Sequence, residues 1–385
     1  MPSTTIVSGV QYSGIWTMQQ VNAAVAANTW PSPPGPALFA WGAGYSGQLG
    51  LGNTTNYSSP KQVGSLVTWA SISGGAAFTL AIKLDGTMWS WGSNGSGQLG
   101  LGNTTGYSSP KQIGALTSWL KVSAGSYSCA AIKTDGTIWS WGNGQNGKLG
   151  LGNTTYYSSP KQIGALTNWS NVAVGDSHVI ALKTDGTLWS WGSNAEGRLG
   201  LNDVTNRSSP VQIGSLTSWV NLEAGYKNSQ AIQSNGTLWS WGNNIFGGLG
   251  LGNTTDYSSP KQIGALTTWL KVSTNYQFTL AIKTDGTLWS WGYNSNGQLG
   301  LGNITNYSSP KQVGALTAWS NSACGLFYSV STKTDGTIWT WGQNNYGQLG
   351  LGNTTQYSSP KQVGGLTTWL NTSAGSYHTV TIKTT

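Results

Sequence analysis

Short segments in which apolar and polar residues alternate recur along the chain with a period of 50 residues. One copy contains four of them, at residues 119–123, 128–133, 137–142 and 160–164. Each predicts a β-strand, because side chains in a strand point alternately to opposite faces. An Asp-Gly pair at 135–136, between the second and third segments, is typical of a tight hairpin. The pattern therefore predicts four short antiparallel strands in each repeat.

The fourth segment opens with Pro160, which suits an edge strand because proline has no N–H to donate to a ladder. A Trp-Gly pair marks the third strand of every copy. The seven tryptophans of these pairs are Trp41, Trp91, Trp141, Trp191, Trp241, Trp291 and Trp341. Four short strands per repeat, with regularly spaced Gly and Trp, predict an all-β fold: a seven-bladed β-propeller.

The two ends of the chain predict how the ring closes. The repeats begin with a third strand, at residues 38–42, and end with a second strand, at residues 378–383. Six blades are thus continuous, and the seventh must join N-terminal and C-terminal strands, which removes free edges that invite aggregation. The predicted organisation is a propeller over residues 37–385 preceded by an arm over residues 1–36.

The arm is predicted to be partly helical. Residues 15–27 contain good helix formers without Gly or Pro, and several apolar residues share one face at helical spacing. Residues 32–36 are rich in proline and predict a stiff, extended linker. The predicted anchor residues are Ile15, Trp16, Met18, Val21, Val25 and Trp30. They would dock on the repeat body or on another chain.

Composition narrows the functional classes. Only 7% of residues are charged, against about 25% in average domains, while Trp and Gly number 22 and 56. The net charge of +8 is spread over repeat positions around the ring, which argues against a nucleic-acid partner. No apolar run approaches the roughly 18 residues of a membrane span. Cys129 and Cys324 lie at different repeat positions and are expected to be small buried hydrophobes.

The sequence offers no convincing catalytic group. His178 and His378 are the only histidines and fall on opposite sides of the predicted ring, so they cannot share a metal ion. Most repeats carry an Asp-Gly hairpin in which the carboxylate would bond its own turn, and Asn235 replaces Asp in one copy. We therefore expect no enzyme activity, no metal and no cofactor.

The copies differ mainly in the turn after the first strand and at the start of the loop after the third. In an up-and-down blade both connections lie on one face, where aromatic residues with few charges suit recognition of a protein or a glycan. The alternative is drift in exposed loops. The predicted binding residues are Tyr45, Phe78, Tyr127, His178, Tyr226, Lys227, Phe246, Tyr276, Phe278, Tyr293, Phe327, Tyr328, Tyr346 and Tyr377.

The repeated series Ala-Gly-x-x-x-Thr-x-Ala-Ile-Lys-x-Asp-Gly-Thr-x-Trp-x-Trp-Gly, followed by Ser-Ser-Pro-x-x-Ile, resembles the regulator of chromosome condensation repeat, a family of seven-bladed propellers. The resemblance covers residues 37–385. Members of that family include nucleotide exchange factors for a nuclear GTPase, chromatin-binding modules and a bacterial inhibitor of β-lactamases. The exchange factor acts through a protruding wedge, and the unchanging 50-residue register leaves no insertion to form one.

The arm carries a second resemblance. Residues 14–20, together with residues 28–31, look like a segment of structural proteins of tailed bacteriophages. This resemblance implies a non-enzymatic component of the virion, which the arm would anchor to other virion proteins in an oligomeric assembly. Its variable face would then bind a host surface protein or glycan. The alternative is a soluble regulator or inhibitor, cytoplasmic or secreted, that binds one protein.

Overall fold

Each repeat folds into one four-stranded antiparallel sheet. The computed structural model describes residues 6–7, 10–11, 35–65 and 68–384. In every sheet the second strand is buried along nearly its whole length, and in six of the seven sheets a tight turn between the second and third strands reverses the chain. We name the strands of a sheet inner, second, third and outer.

The strand bounds repeat at the same positions in each copy. The inner strands are β5 (Trp69–Gly74), β9 (Trp119–Ala124), β13 (Trp169–Val174), β17 (Trp219–Ala224), β21 (Trp269–Thr274), β25 (Trp319–Cys324) and β29 (Trp369–Ala374). The second strands are β6 (Phe78–Lys83), β10 (Ser128–Lys133), β14 (His178–Lys183), β18 (Asn228–Gln233), β22 (Phe278–Lys283), β26 (Tyr328–Lys333) and β30 (His378–Thr384). The third strands are β3 (Pro36–Gly42), β7 (Met88–Gly92), β11 (Ile138–Gly142), β15 (Leu188–Gly192), β19 (Leu238–Gly242), β23 (Leu288–Gly292) and β27 (Ile338–Gly342). The outer strands are β4 (Tyr57–Gln62), β8 (Tyr107–Gln112), β12 (Tyr157–Gln162), β16 (Arg207–Gln212), β20 (Tyr257–Gln262), β24 (Tyr307–Gln312) and β28 (Tyr357–Gln362).

The seven sheets form a closed ring, so the predicted propeller is confirmed. Each inner strand contacts the inner strand of the next sheet, and β29 contacts β5. Together the inner strands line a central channel of about 590 Å³. We number the blades 1 to 6 from β5–β8 to β25–β28, and blade 7 consists of β29, β30, β3 and β4.

Blade 7 joins the two ends of the chain, as predicted. Strand β3 pairs with β30 over seven residue pairs, from Pro36 opposite Thr384 to Gly42 opposite His378. β3 begins two residues before its predicted start. Within residues 1–34, only the short pair β1 (Ile6–Val7) and β2 (Val10–Gln11) is described. The predicted helix at 15–27 and the six predicted anchor residues lie outside the described residues.

The outer strands differ from the prediction in position. The predicted fourth strand, 160–164, is observed as Tyr157–Gln162, so Pro160 lies inside the strand and does not open it. The outer strand pairs on one side only, through Gln162 opposite Trp139, Lys161 opposite Ser140 and Tyr157 opposite Gly142. Pro160 falls in the register shift between these pairs, where no ladder N–H is needed.

Tryptophans bind each blade to the one before it. In blade 2, Trp119 packs edge-on against Trp139 and Trp141, with ring centroids 6.1 Å and 6.3 Å away. The Nε1 of Trp141 donates to the carbonyl oxygen of Gln98 in blade 1 at 2.9 Å. Trp141 is fully buried while Trp139 stays partly exposed. Trp141 thus packs between blades 1 and 2, whereas Trp139 packs within its own blade. Burial of such an indole stabilises a blade junction by roughly 1.5–3 kcal/mol or more.

The glycine-rich loop after each third strand fits against the following blade. A Cβ added to Gly150 would lie 2.8 Å from Nε1 of Trp191, and Gly150 has φ +72°. A Cβ on Gly147 would meet the backbone of Ser208 at 2.4 Å. Leu151 packs in the same junction. Glycine is therefore required here for close approach to the next blade and for a left-handed backbone.

Helical structure in the described ranges is limited to one 3-10 turn, Gln145–Gly147. It interrupts one of the glycine-rich loops and contains Asn146 at φ 59°. Within those same ranges no helix is long and apolar enough to cross a bilayer.

Candidate functional site

The variable turns and loops meet on one face of the ring, which we call the front face. It comprises the turns after the inner strands and the first residues of the loops after the third strands. In blade 2, for example, the backbone N–H of Asn143 in the loop donates to the carbonyl oxygen of Tyr127 in the turn at 2.9 Å. The opposite face, the back face, carries the Asp-Gly hairpins and the connectors from each outer strand to the next inner strand.

Four predicted binding residues are buried between blades, so their placement on the surface is wrong. They occupy the first position of a second strand, opposite a third-strand glycine whose missing side chain lets them turn toward the next blade. All seven residues at this position are at most 1% exposed: Phe78, Ser128, His178, Asn228, Phe278, Tyr328 and His378. Their variation reflects seven different junctions and not a ligand. Phe78, His178, Phe278 and Tyr328 therefore leave the candidate site.

The two histidines link neighbouring blades. Nε2 of His178 lies 2.8 Å from Oγ of Ser229, and Nε2 of His378 lies 3.0 Å from Oγ1 of Thr79. Burial lowers the pKa of His178 to about 3, assisted by the nearby Arg198 cation, and lowers the pKa of His378 to about 4. Both imidazoles are neutral at physiological pH. Each side chain bonds a hydroxyl of the next blade, so the role of both histidines is structural.

Five partly buried aromatic residues on blades 4 to 6 form one connected group, the aromatic cluster. Tyr276 is its centre, with ring centroids 5.3 Å from Tyr226, 5.0 Å from Phe327 and 6.0 Å from Tyr293. Phe246 adds to it at 4.6 Å from Tyr293. All five were predicted binding residues, and the structure brings them together from turns and loops as much as 101 residues apart in the chain (226 to 327). Partial exposure leaves ring surface free for a ligand.

A second group on blades 6 and 7, the tyrosine cluster, consists of Tyr45, Tyr346 and Tyr377. Tyr346 lies 5.9 Å from Tyr45 and 5.3 Å from Tyr377, measured between ring centroids. Burial raises the pKa of Tyr45, and Tyr346, Tyr377 and Tyr127 raise it further. Tyr45 and Tyr127 are about half exposed, at 49% and 50%.

Blades 3 and 4 carry a set of charged residues, the ionic network, most of which was not predicted from the sequence. Glu196 pairs with Arg198 in its own loop and with Lys227 in the next turn, at 3.0 Å from Nζ. Arg198 also donates to Oγ of Ser177 at 2.8 Å. Of these residues only Lys227 was predicted to bind. Arg198 is almost fully buried, so the network holds adjacent turns in place.

The network extends into blade 2. Nζ of Lys148 donates to the carbonyl oxygen of Asp176 at 3.3 Å. The negative charge of Asp176 is the main cause that raises the pKa of Tyr226. Lys148 and Arg198 occupy a repeat position that holds Gln in four other copies. That departure from the repeat, in adjacent blades, was the signal in the sequence that could have identified them.

The central channel has a polar wall that includes the carboxyl groups of Asp176 and Glu223. Withdrawal from bulk water raises the pKa of Glu223, which faces the channel, to about 8. Lys271 lines this space and donates to the carbonyl oxygen of Ser320 at 2.6 Å. Lys121, at the same repeat position, donates to the carbonyl oxygen of Ser170 at 2.7 Å. Burial lowers the pKa of both lysines. None of these residues was predicted from the sequence.

The aspartates of the hairpins serve their own turns, as expected. Oδ1 of Asp135 accepts from the backbone N–H of Thr137 at 2.9 Å and from its hydroxyl at 2.6 Å. These bonds lower the pKa of Asp135. Asn235 makes the equivalent bonds to Thr237 at 3.0 Å and 2.7 Å. Within the described residues, no three His, Cys, Asp or Glu side chains come together as metal ligands.

The two cysteines are free and buried, which confirms that they pack as small hydrophobes. Burial raises the pKa of the Cys129 thiol well above its usual value and also raises that of Cys324. The thiolate is the reactive form of cysteine, so neither side chain is activated as a nucleophile.

Family comparisons match nearly all of the repeat region. The model of the RCC1-like domain matches residues 158–385. Two models of the regulator of chromosome condensation (RCC1) repeat match the N-terminal copies, at residues 37–82 and 85–132 for one and at residues 69–98 and 119–148 for the other. No curated protein sequence matches the chain.

Solved structures with the same fold share little sequence with this chain. Human WBSCR16 superposes with a TM-score of 0.81 at 22% identity, covering 91% of this chain and 99% of that one. Prp20p from Saccharomyces cerevisiae superposes with a TM-score of 0.82 at 20% identity, covering 92% of each chain. Yeast RCC1 (Prp20) bound to Kap60 gives a TM-score of 0.82 at 20% identity, covering 92% of this chain and 90% of that one. At these identities the similarity establishes the fold alone.

Proposed function

Because this chain belongs to the RCC1-like domain family, we propose that it is a non-enzymatic regulator that binds a protein partner through its front face. The yeast relative Prp20p has been characterised for binding to Gsp1p and histones, and yeast RCC1 (Prp20) has been seen with Kap60. Protein binding is thus an activity that this fold supports. The partners of those relatives do not identify the partner of this chain, since sequence identity is low.

The observation that carries the proposal is the aromatic cluster beside the ionic network. Tyrosine and phenylalanine provide large contact areas, and they are enriched where proteins meet. Tyr226 belongs to the cluster and lies against the charge of Asp176, so apolar and charged surfaces adjoin. A partner that fits would place an apolar or aromatic side chain on Tyr276 and Phe327. Its charged groups would then face Glu196 and Lys227 at the cluster border.

The chain itself supplies suitable substitutions for a test. Position 276 is Ser in two other copies, and the position of Phe327 is Ala or Ser in two others, so the fold accepts Tyr276→Ser and Phe327→Ser. We expect the double variant to keep its thermal stability and to lose partner capture by at least roughly tenfold, or 1.4 kcal/mol. The measurement is affinity capture from extract of the source cells with quantitative mass spectrometry, followed by affinity measurement with the captured protein.

The matched control is Tyr156→Asn. Tyr156 is an exposed aromatic residue with no ring contact among the described residues, and three other copies carry Asn there. An equal loss of partner capture in the control and in the double variant would indicate nonspecific hydrophobic binding and would contradict the proposal. Loss of glycan-array binding with no loss of protein capture would instead assign the cluster to carbohydrate.

The expectation of a bacteriophage virion component stays a prediction. Its basis is the resemblance of the arm, at residues that lie outside the described ones. A regulator of the kind proposed here would run as a single chain or with its one partner in size-exclusion mass measurement. Recovery of the native protein only in large particles would favour the virion.

A further inference from the structure

The back face carries an exposed leucine that recurs from blade to blade. It lies in the middle of the connector between an outer strand and the next inner strand, and 47–51% of its surface is exposed in each described copy. The six residues are Leu116, Leu166, Leu216, Leu266, Leu316 and Leu366. Single exposed aliphatic residues are normal on a protein surface, but six equivalent ones on one face indicate a surface that binds another polypeptide segment.

Four blades add a second exposed aliphatic residue. It is the second residue of the inner strand, close to the end of the connector, and it is 49–57% exposed. These residues are Leu120, Val220, Leu270 and Leu370. We call the ten residues together the apolar ring. They lie on the face opposite the aromatic cluster and the ionic network.

We propose that residues 12–34 of the same chain, the N-terminal arm, cover the apolar ring. Third strands run from the back face to the front face, so β3 begins on the back face. Pro36 at its start pairs with Thr384, and the N–H of Thr384 donates to the carbonyl oxygen of Thr368 at 3.0 Å. The arm therefore joins the sheet roughly two strand spacings, about 10 Å, from the connector that contains Leu366.

The composition and reach of the arm fit this surface. Residues 1–34 contain no Asp, Glu, Lys or Arg, and the predicted anchor residues supply an apolar stripe of matching character. The proline-rich residues 31–36 extend about 19 Å at about 3.1 Å per residue. A helix over residues 15–27 would add about 20 Å. These lengths suffice to carry the stripe from blade 7 across the ring.

Charge argues for the arm over a second copy of the propeller. The exposed charges of the back-face hairpins are the carboxylates of Asp85, Asp135, Asp185, Asp285 and Asp335. The lysines at the ends of most of these second strands are largely buried over tryptophan rings, and the exposed lysines of the outer strands lie at the perimeter. Two back faces in contact would bring two sets of carboxylates together, and like charges oppose association. An uncharged arm meets no such repulsion.

The test is hydrogen–deuterium exchange on the full chain and on the double variant Leu316→Ser, Leu366→Ser. We expect residues 12–30 to be protected in the full chain and to exchange at least roughly tenfold faster in the variant. The control is Val204→Thr with Ile304→Thr, which removes two similarly exposed aliphatic side chains from the loops after third strands. Five other copies carry Thr at that position, and the control should leave exchange of the arm unchanged.

A reciprocal measurement guards against misfolding of the variant. Deleting residues 1–34 should speed exchange in peptides that span 314–318 and 364–368 and leave front-face peptides unaffected. An arm that exchanges without protection in the full chain overturns the proposal. So does arm protection that is equal in the full chain and the leucine variant. Sedimentation of the same samples tests whether a second copy of the chain covers the apolar ring. If the full chain is a dimer, the leucine variant is a monomer and exchange of the arm is the same in both, the apolar ring binds a second copy and the proposal is wrong.

Discussion

At the scale of single residues, one repeat position shows how an ordered ring tolerates variation. The first residue of each second strand is Phe, Ser, His, Asn, Phe, Tyr or His around the ring, yet all seven side chains are buried. Each fills the junction to the next blade, whose residues differ in step. His178, for example, meets Ser229, while Tyr328 donates to the carbonyl oxygen of His378 at 2.5 Å. Variation in this position records packing between particular pairs of blades.

The buried histidines make stability depend on pH in a defined direction. Their folded pKa values, about 3 for His178 and about 4 for His378, lie below the unfolded value of about 6.5. The unfolded chain therefore binds more protons between those values, and the stabilisation present above pH 6.5 is lost as the pH falls toward the folded pKa. The contribution of Glu223 to stability has the opposite pH dependence, because its folded pKa of about 8 lies above its unfolded value. That contribution is lost as the pH rises through about 8.

His378→Phe isolates one histidine, since Phe78 and Phe278 occupy the same position in other blades. We expect the stability advantage of the wild type over the variant to shrink by roughly 2–3 kcal/mol between pH 7.5 and pH 4.5. Urea unfolding of both proteins at the two pH values measures this difference. The contributions of His178 and Glu223 are common to both proteins and cancel. A difference that does not vary with pH would show that His378 keeps one protonation state.

At the scale of elements, most blades are held by a lysine over two tryptophans. In blade 2, Nζ of Lys133 lies 3.8 Å from the ring centroid of Trp139 and 5.0 Å from that of Trp119. Burial lowers the pKa of Lys133, opposed by the nearby Asp135 carboxylate. The same arrangement recurs at Lys83, Lys183, Lys283 and Lys333. These lysines stabilise the interior of each blade, so their ammonium groups are largely inaccessible to an anionic binding partner.

Blade 4 provides the natural counterpart, because Gln233 stands where Lys133 stands in blade 2. We expect Lys133→Gln to lower the free energy of unfolding by about 1 kcal/mol through loss of the cation–π contacts. Gln233→Lys should raise it by a similar amount, since Trp219 and Trp239 are already in place, with ring centroids 6.1 Å apart. Denaturant unfolding of the pair measures both changes. Two changes of the same sign would rule out the cation–π explanation.

At the scale of the whole molecule, stability depends on blade 7 being complete. β30 and β3 come from opposite ends of the chain and supply the middle strands of that sheet. Removing β30 would leave β3 with an unpaired edge and would take the buried Val380 and Ile382 out of the core that they share with Leu38. The ring would then have to open at this blade.

We expect deletion of residues 378–385 to remove most of the roughly 5–15 kcal/mol of a typical folded domain and to cause aggregation. Denaturant unfolding and size-exclusion chromatography measure both effects. A circular permutant is the control. In it, an inserted Asp-Gly turn joins Thr384 to Ala37, and the new N- and C-termini lie in the connector at residues 164–168. It should stay folded, because it has every strand of the propeller. Wild-type stability in the truncated chain would contradict the role of closure.

Most of the architecture was predictable from the sequence. The period of 50 residues, the Asp-Gly hairpins and the partial repeats at the two ends determined the number of strands, the number of blades and the closure at blade 7. These features are encoded locally, because alternation and turn residues act within a few positions of one another. The site was predictable in part: the five residues of the aromatic cluster were identified, and the tertiary structure showed that they touch.

Only the tertiary structure decided which varying residues are exposed. Phe327 in a front-face turn is partly exposed, while the next residue, Tyr328, is fully buried. The side chains of adjacent strand residues point to opposite faces of the sheet. Whether one of those faces meets solvent or the next blade depends on residues about 50 positions away in the chain. The same holds for Lys148 and Arg198, whose partners lie in neighbouring turns. Contacts between blades cannot be predicted from the sequence of one repeat alone. Two blades must pack together before the side chains at their junction are buried.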